Sequence, residues 1–523
     1  MGALRRLARV ARLEWAESAT LEPPGVTGLS ESVDRVGQIE THGVDLIPES
    51  ERHSRPANIF WILIGGQMTV SVMVLGWIPI AFGLGWWSAA SSLVVGAAIG
   101  SLLASPIAML GLYTGTNSPV SSGAFFGVVG RLVGSALGLF ISLGFFALAV
   151  WVGGQAAVEG AHKLFGTPDS HLALAISYVL ITVVSTLAAV MGHANMVAVQ
   201  KLMIPTAGLV FLISAIVLAP KFHAGYHGGH YVLGSFWSTW ALSVTTAVAG
   251  PLGYSVSVND WSRYISPRRW KPRNAAFAFG LGLFVAVGGA DLFGAYIASM
   301  FKDPGTDFIT GWVQIAPAGI VALLLAVGVF GTFGQGSMML YSIGLDVSSL
   351  VPFLRRVIAT ALLSALALVF VLVGTLVFDA EQTVASFVTL FVVVLMPWVI
   401  ICAIGHFWRR AHYSIDDLQV FNRNEDGGLY WFWHGWSPRG TLIWLVCSVL
   451  GLLCSNTSVY SGPWSNIANG VDMSLVVSGT LAAVLYFGSL VLVPENPALR
   501  AAATSGGGRA APLAAELVPE PAE

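Results

Sequence analysis

Apolar residues fill the chain in long runs, separated by short segments where Arg, Lys, Asp, Gly and Pro collect. Twelve runs stand out, at about 58–83, 86–114, 132–163, 170–196, 198–220, 236–262, 273–301, 315–346, 355–378, 383–408, 440–456 and 472–494. A helix of roughly 20 apolar residues crosses the hydrocarbon core of a bilayer. The pattern predicts an all-α polytopic membrane protein with twelve transmembrane helices. Two runs are interrupted near their middles: the first reads "ILIGGQMTVS", with Gly65-Gly66 before Gln67 and Thr69, and the sixth reads "VAGPLGYSVSVND", with Gly250-Pro251 and Gly253. Glycine and proline weaken a helix, and the backbone groups they free persist in a membrane only where they line a cavity or bind something. Spans one and six are five apart. Five is odd, so a second copy of a five-span unit runs in the opposite direction. The expected plan is two inverted five-helix repeats, 58–220 and 236–408, with helices 1 and 6 broken, followed by two C-terminal helices within 440–494. Paired interruptions of this kind mark the binding site of a secondary transporter. The competing reading is that the 59 glycines serve as helix–helix packing contacts.

Charge fixes the orientation. With the N-terminus inside, 22 of the 25 Lys and Arg residues fall in inside segments, and only Lys163, Lys221 and Lys302 fall outside. Such a bias predicts that both termini are cytoplasmic, in a multi-pass protein of the plasma membrane. Residues 1–57 form an N-terminal tail whose first 14 residues, "MGALRRLARVARLE", read either as a short helix on an anionic leaflet or as a disordered stretch. The Ala-, Gly- and Pro-biased tail 495–523 reads as disordered, and no cleavable signal peptide is expected, because the first long apolar run starts near residue 58. A content of 55% hydrophobic and 10% charged residues, with a mean hydropathy of +0.75, excludes a soluble globular chain. A net charge of -2 argues against nucleic acid as a partner. Cys402, Cys447 and Cys454 all lie in apolar runs and read as small buried residues. No nucleophile–base constellation or phosphate loop appears, so no enzymatic activity, cofactor or obligate protein partner is expected.

Chemistry gathers near the interruptions. In "LAVWVGGQAAVEG" of span three, Trp151 and Gln155 are one helical turn apart and face the same way. A Gln in hydrocarbon costs several kcal/mol unless something bonds to it. A planar heterocycle stacked on Trp151 would meet in Gln155 both an acceptor and two donors for its edge, and Tyr254, beside the sixth-span break, would close the other face. Span eight, "VFGTFGQGSMMLYS", adds Thr332, Gln335, Ser337 and Tyr341. The plainer alternative is that Trp151 and Gln155 are a packing contact and an interhelical hydrogen bond. Asp291, in "VGGADLFGAY", is the acidic residue well inside a span and a candidate proton carrier, unless it lies at the outer end and is solvated. His223, His227 and His230 in "KFHAGYHGGHY" have near-ligand spacing but no acidic or cysteine companion, so no metal site is expected.

The segments "IETHGVDLIPESERHSRPANIFWILIGG", "PVSSGAFFGVVGR", "WVGGQ", "NDWSRYISP" and "LYSIGL" resemble the nucleobase:cation symporters, the purine and cytosine permease group that includes cytosine permease and the hydantoin transporter. The resemblance spans roughly residues 38–495, and its most specific element is Asp260-Trp261-Ser262-Arg263-Tyr264. It implies two inverted five-helix repeats plus two helices, and import of a nucleobase or related planar nitrogen heterocycle with a coupled cation. It places the stacking ring and amide of helix three on Trp151 and Gln155, the aromatic of the sixth-helix break on Tyr254, and first-helix contacts on Gly66 and Gln67. Helix eight departs from the family: where Asn residues usually precede the Tyr-Ser pair, this chain has Ser337-Met338-Met339-Leu340-Tyr341, with Ser337 the substrate-facing candidate. A sodium site between helices one and eight would draw on Gly65 carbonyl and on hydroxyls such as Thr332; a proton carried by Asp291 is the other option for the coupling ion. Alternative functions are transport of allantoin, a hydantoin or an unrelated solute, or a non-transporting membrane sensor of the same fold.

The orientation is directly checkable. Tags at either terminus should be reached only from the cytoplasmic side; a periplasmic signal from one of them contradicts the twelve-span reading.

Overall fold

The structure, a computed structural model, describes residues 43–496 and residue 499, except 191, 192, 352, 353, 355, 378, 379, 458 and 459. Helices dominate, and no strand occurs among the described residues. The first expected span is α1 (Pro56–Gly66) and α2 (Val70–Ala81), meeting at a bend of 68°. The second is α3 (Trp86–Ala104), continued through a tight turn into α4 (Ala108–Thr114), and a short α5 (Ser118–Phe126) leads into α6 (Leu132–Phe165). Next come α7 (His171–Val190) and α8 (His193–Leu218), which complete the first five-span set. The second set opens with α9 (Phe236–Gly253) and α10 (Val258–Ser262), then α11 (Pro272–Ala298), a short α12 (Phe308–Ile315), α13 (Ala318–Leu350), α14 (Arg356–Val377) and α15 (Ala380–Trp408). One turn, α16 (Ile415–Leu418), precedes α17 (Pro438–Leu453) and α18 (Ser474–Leu492).

Nine of the described helices are long and apolar enough to span, and the bent α1–α2 pair makes ten. The remaining two expected spans are α9 with α10, and α17. Helix α9 is less apolar because it carries Ser238, Thr239, Ser243, Thr245 and Thr246, all buried inside the protein rather than turned to lipid. Helix α17 is simply short, at 16 residues.

The packing has the exchange symmetry of two inverted repeats. Helix α3 packs on α9, and its counterpart α11 packs on α1 and α2; α8 packs on α1, and α15 on α9; α7 packs on α13, and α14 on α6. The largest interface joins α6 to α13, the third members of the two sets. The short helices repeat the theme. Asn117 caps α5 through the Val120 N–H, and Asp307 caps α12 through the N–H groups of Ile309 and Thr310.

Buried basic residues collect at one end of the bundle. Arg52 donates to Ile47 O and Leu112 O, Arg263 to Gly43 O, Arg131 to Asn422, and Arg409 pairs with Glu495 at 2.5 Å. Residues 43–55 are therefore packed against the bundle; residues 1–42 and 500–523 lie outside the described residues. All three cysteines are buried and free.

Close helix crossings rest on missing side chains. A Cβ on Gly76 of α2 would lie 1.8 Å from the Asp291 carbonyl oxygen of α11, whereas one on Gly289 would meet nothing within 4 Å. Gly76→Ala should therefore force α2 and α11 apart and cost about 1–3 kcal/mol or more. A marked fall in the thermal unfolding temperature of the purified protein is expected for Gly76→Ala and none for Gly289→Ala; equal stability of the two variants contradicts the crossing.

Candidate functional site

Helix α1 ends past Gly66: Gln67 keeps a last helical bond to Leu63 O, Met68 N closes more tightly onto Gly65 O, and Thr69 is extended. This geometry turns the Gln67 side chain into the bundle. Its Nε2 donates to the Tyr254 hydroxyl at 2.7 Å. In the sixth span, the helix runs through Gly250, Pro251 and Gly253 and breaks just after them, in the tight turn Tyr254–Val256 before α10. Proline inside the last turn removes a donor without ending the helix at once, so the interruption falls later than the glycine–proline pair suggests. The displacement sets Tyr254 at the break itself. Its ring stacks on Phe145 of α6 with centroids 6.2 Å apart and planes 22° apart.

Helix α13 supplies a third partner. Gln335 lies beside the same phenol oxygen, and its Oε1 accepts from the hydroxyl of Ser71 in α2. Gln67 is 1% exposed and Gln335 fully buried, yet Gln67 Oε1 and Gln335 Nε2 have no hydrogen-bond partner. Gln67 Oε1 is thus left open beside Tyr254, and Gln335 Nε2 approaches the phenol oxygen without a well-formed hydrogen bond to it. Each such buried group costs about 1–3 kcal/mol when unpaired.

Trp151 and Gln155 lie farther along α6, Trp151 about 9 Å beyond Phe145 at the helical rise. Trp151 is buried and Gln155 half-buried, with Gln155 Oε1 also unpaired. Gly153, between them, faces Thr332 and Gly328 of α13. Two helical residues are offset by about 200°, so Trp151 and Gln155 do not share the Gly153 contact with α13. The structure thus joins Gln67, Tyr254 and Gln335 by contact, with Trp151 and Gln155 on the helix that stacks against Tyr254.

The other candidates are placed as follows. Gly66 lies against the Met338 side chain, and Gly65 against the backbone of Gln200 in α8. Ser337 Oγ donates back to Gly334 O at 2.9 Å. Thr332 bonds Gly328 O and faces α6, away from the α1 break. Asp291 is 1% exposed, so it is not solvated, and its Oδ1 has no hydrogen-bond partner. Of the histidines, His227 and His230 back onto Gly85 and Gly83. Among the described residues no three His, Cys, Asp or Glu side chains gather as a metal would need. Ser71 and Gln200 went unmarked in the sequence, although a Gln in an apolar run was the signal that singled out Gln155.

A family of permeases for cytosine/purines, uracil, thiamine and allantoin matches residues 46–478. A putative purine-cytosine permease of Bacillus subtilis (strain 168), YxlA, is 25% identical over 468 residues, covering 86% of this chain and 95% of its own. Among solved structures, Mhp1, a nucleobase-cation-symport-1 family transporter in a closed conformation with bromovinylhydantoin bound, aligns with a TM-score of 0.69 at 16% identity, covering 86% of this chain and 95% of its own. MhsT in complex with L-phenylalanine aligns at 0.52 and 13% identity, over 84% of this chain and 99% of its own. These likenesses agree with the repeat symmetry of the packing and with the broken first and sixth spans. The chain belongs to the family of permeases for cytosine/purines, uracil, thiamine and allantoin, and is a multi-pass membrane transporter rather than an enzyme.

Proposed function

We propose that this permease imports a nucleobase or a related planar nitrogen heterocycle across the plasma membrane together with a coupled cation, sodium or a proton. Both termini are then cytoplasmic. The substrate stacks on Trp151, while Gln155, Gln67, Gln335 and Tyr254 read its edge beside Gly66 and Ser337. The observation that carries this reading is the open donor–acceptor pair on Tyr254: Gln67 Oε1 and Gln335 Nε2 are buried and unpaired. A ring that presents N–H next to C=O or a ring nitrogen satisfies both groups at once. A solute without a donor and an acceptor side by side leaves them unpaired. The relatives support the same class, since one is named for purines and cytosine and another holds bromovinylhydantoin.

Uptake of labelled cytosine, purines, uracil, hydantoins and allantoin by whole cells tests the proposal. Trp151→Ala should abolish saturable uptake at normal expression and Trp151→Phe should keep part of it, stacking being worth about 0.5–1.5 kcal/mol beyond area burial. Gln155→Glu and Gln155→Leu should change the ranking of competing heterocycles, by about 1–3 kcal/mol for those bonded at that edge. Wild-type rankings in both Gln155 variants, with unchanged affinity in Trp151→Ala, remove α6 from the site. Uptake of no compound in the panel by correctly inserted protein favours another solute or a sensor.

A further inference from the structure

In a transporter built on broken helices, backbone carbonyls freed at the break coordinate the coupling ion. Here the relevant junction is where Gly65 and Gly66 of α1 meet Gly334 of α13, with α8 alongside. A Cβ on Gly334 would lie 3.7 Å from Gly65 O, and one on Gly65 would lie 2.3 Å from the backbone oxygen of Gln200. The three helices are in contact there.

What fills the junction is an amide. Gln200 is fully buried and its Nε2 donates to Gly334 O at 2.7 Å, while Ser337 Oγ donates to the same oxygen at 2.9 Å. A carbonyl oxygen has two lone pairs, so Gly334 O has none left for an ion. Gly65 O already accepts from Met68 N. Other neighbours are the thioether of Met338, whose Sδ lies 3.2 Å from a Cβ on Gly66, and the side chain of Met203. Thioethers suit soft metals rather than hard cations. Thr332, the nearby hydroxyl on α13, faces Gly153 of α6 instead. Among the side chains there, one oxygen remains unpaired, Gln200 Oε1. A single amide oxygen does not make the cage of several oxygens that a hard cation needs.

We propose that the Gln200 carboxamide stands permanently where a sodium ion would bridge α1 and α13, so that this junction binds no sodium and transport does not depend on it. The positive end of the amide dipole is held against Gly334 O, doing from within the chain what an ion does from solution. For uptake, this deepens the importer reading and rests on it; for ion binding, it does not. The coupled cation is then a proton, which needs a carboxyl group rather than an oxygen cage.

The test uses the purified full-length protein, titrated with sodium chloride against choline chloride at constant ionic strength, with the thermal unfolding temperature and tryptophan fluorescence as readouts. The wild type should show no saturable, sodium-selective shift. Gln200→Glu, which replaces the donor with a carboxylate, should acquire one; if that variant fails to fold, the wild-type titration decides alone. A saturable sodium-selective shift in the wild type overturns the proposal. Initial uptake rates should likewise be equal in sodium and in choline media, and a loss of uptake in choline overturns it too. Absence of uptake in both media counts against the importer reading, and the titration still decides the role of Gln200.

Discussion

A backbone group inside hydrocarbon has no water to bond, and leaving it unpaired costs several kcal/mol. This chain breaks two helices in the middle of its bundle and must therefore close them from within. At the α1 break, Gln67 and Met68 fold their N–H groups back onto Leu63 O and Gly65 O. At the α9 break, Ser257 N bonds Tyr254 O, Asp260 N bonds Ser257 O, and Asn259 N takes the hydroxyl of Ser118 from α5. These closures fix where the flanking side chains point. Gln67 and Tyr254 face one another because the backbone on either side has been tied down.

The proposed site is drawn evenly from the two halves. Gln67 and Trp151 come from the first repeat, Tyr254 and Gln335 from the second, so a shift of one half against the other changes the site directly. The α6–α13 interface runs beside it, with a Cβ on Gly328 only 2.7 Å from Ala156 Cβ. Small residues let these two long helices approach closely, which is how membrane helices associate without a hydrophobic driving force between them. Among the polar atoms left open are Gln67 Oε1, from the first repeat, and Gln335 Nε2, from the second.

The span pattern was legible because burial in lipid demands uninterrupted apolar length, and the first break because two glycines and a glutamine interrupt it. The sixth-span break lay beyond its proline, since a helix tolerates one missing donor in its last turn. Gln200 escaped notice for a geometric reason. The sequence puts a span boundary near residues 196–198, whereas α8 starts at His193, so Gln200 sits two turns inside the helix and not at its end. Thr332 shows the opposite limit: its residue type suited an ion site, but which way it faces is set by the crossing of α13 with α6, which no single-span pattern encodes. The partnership of Gln335 with Ser71 and Tyr254 joins residues distant in the chain and becomes visible only once three helices are assembled.

Whether the two broken helices and α13 read one ligand edge together is the central question, and a double-mutant cycle answers it. The measurement is equilibrium binding of the heterocycle that the wild type takes up, to purified wild-type, Gln67→Leu, Gln335→Leu and doubly substituted protein. Each single change should weaken binding by about 5- to 150-fold, the equivalent of 1–3 kcal/mol. The double change should cost less than the sum, because both amides serve one edge of the ligand. Wild-type affinity in both single variants, or strictly additive losses, contradicts a shared site at Tyr254.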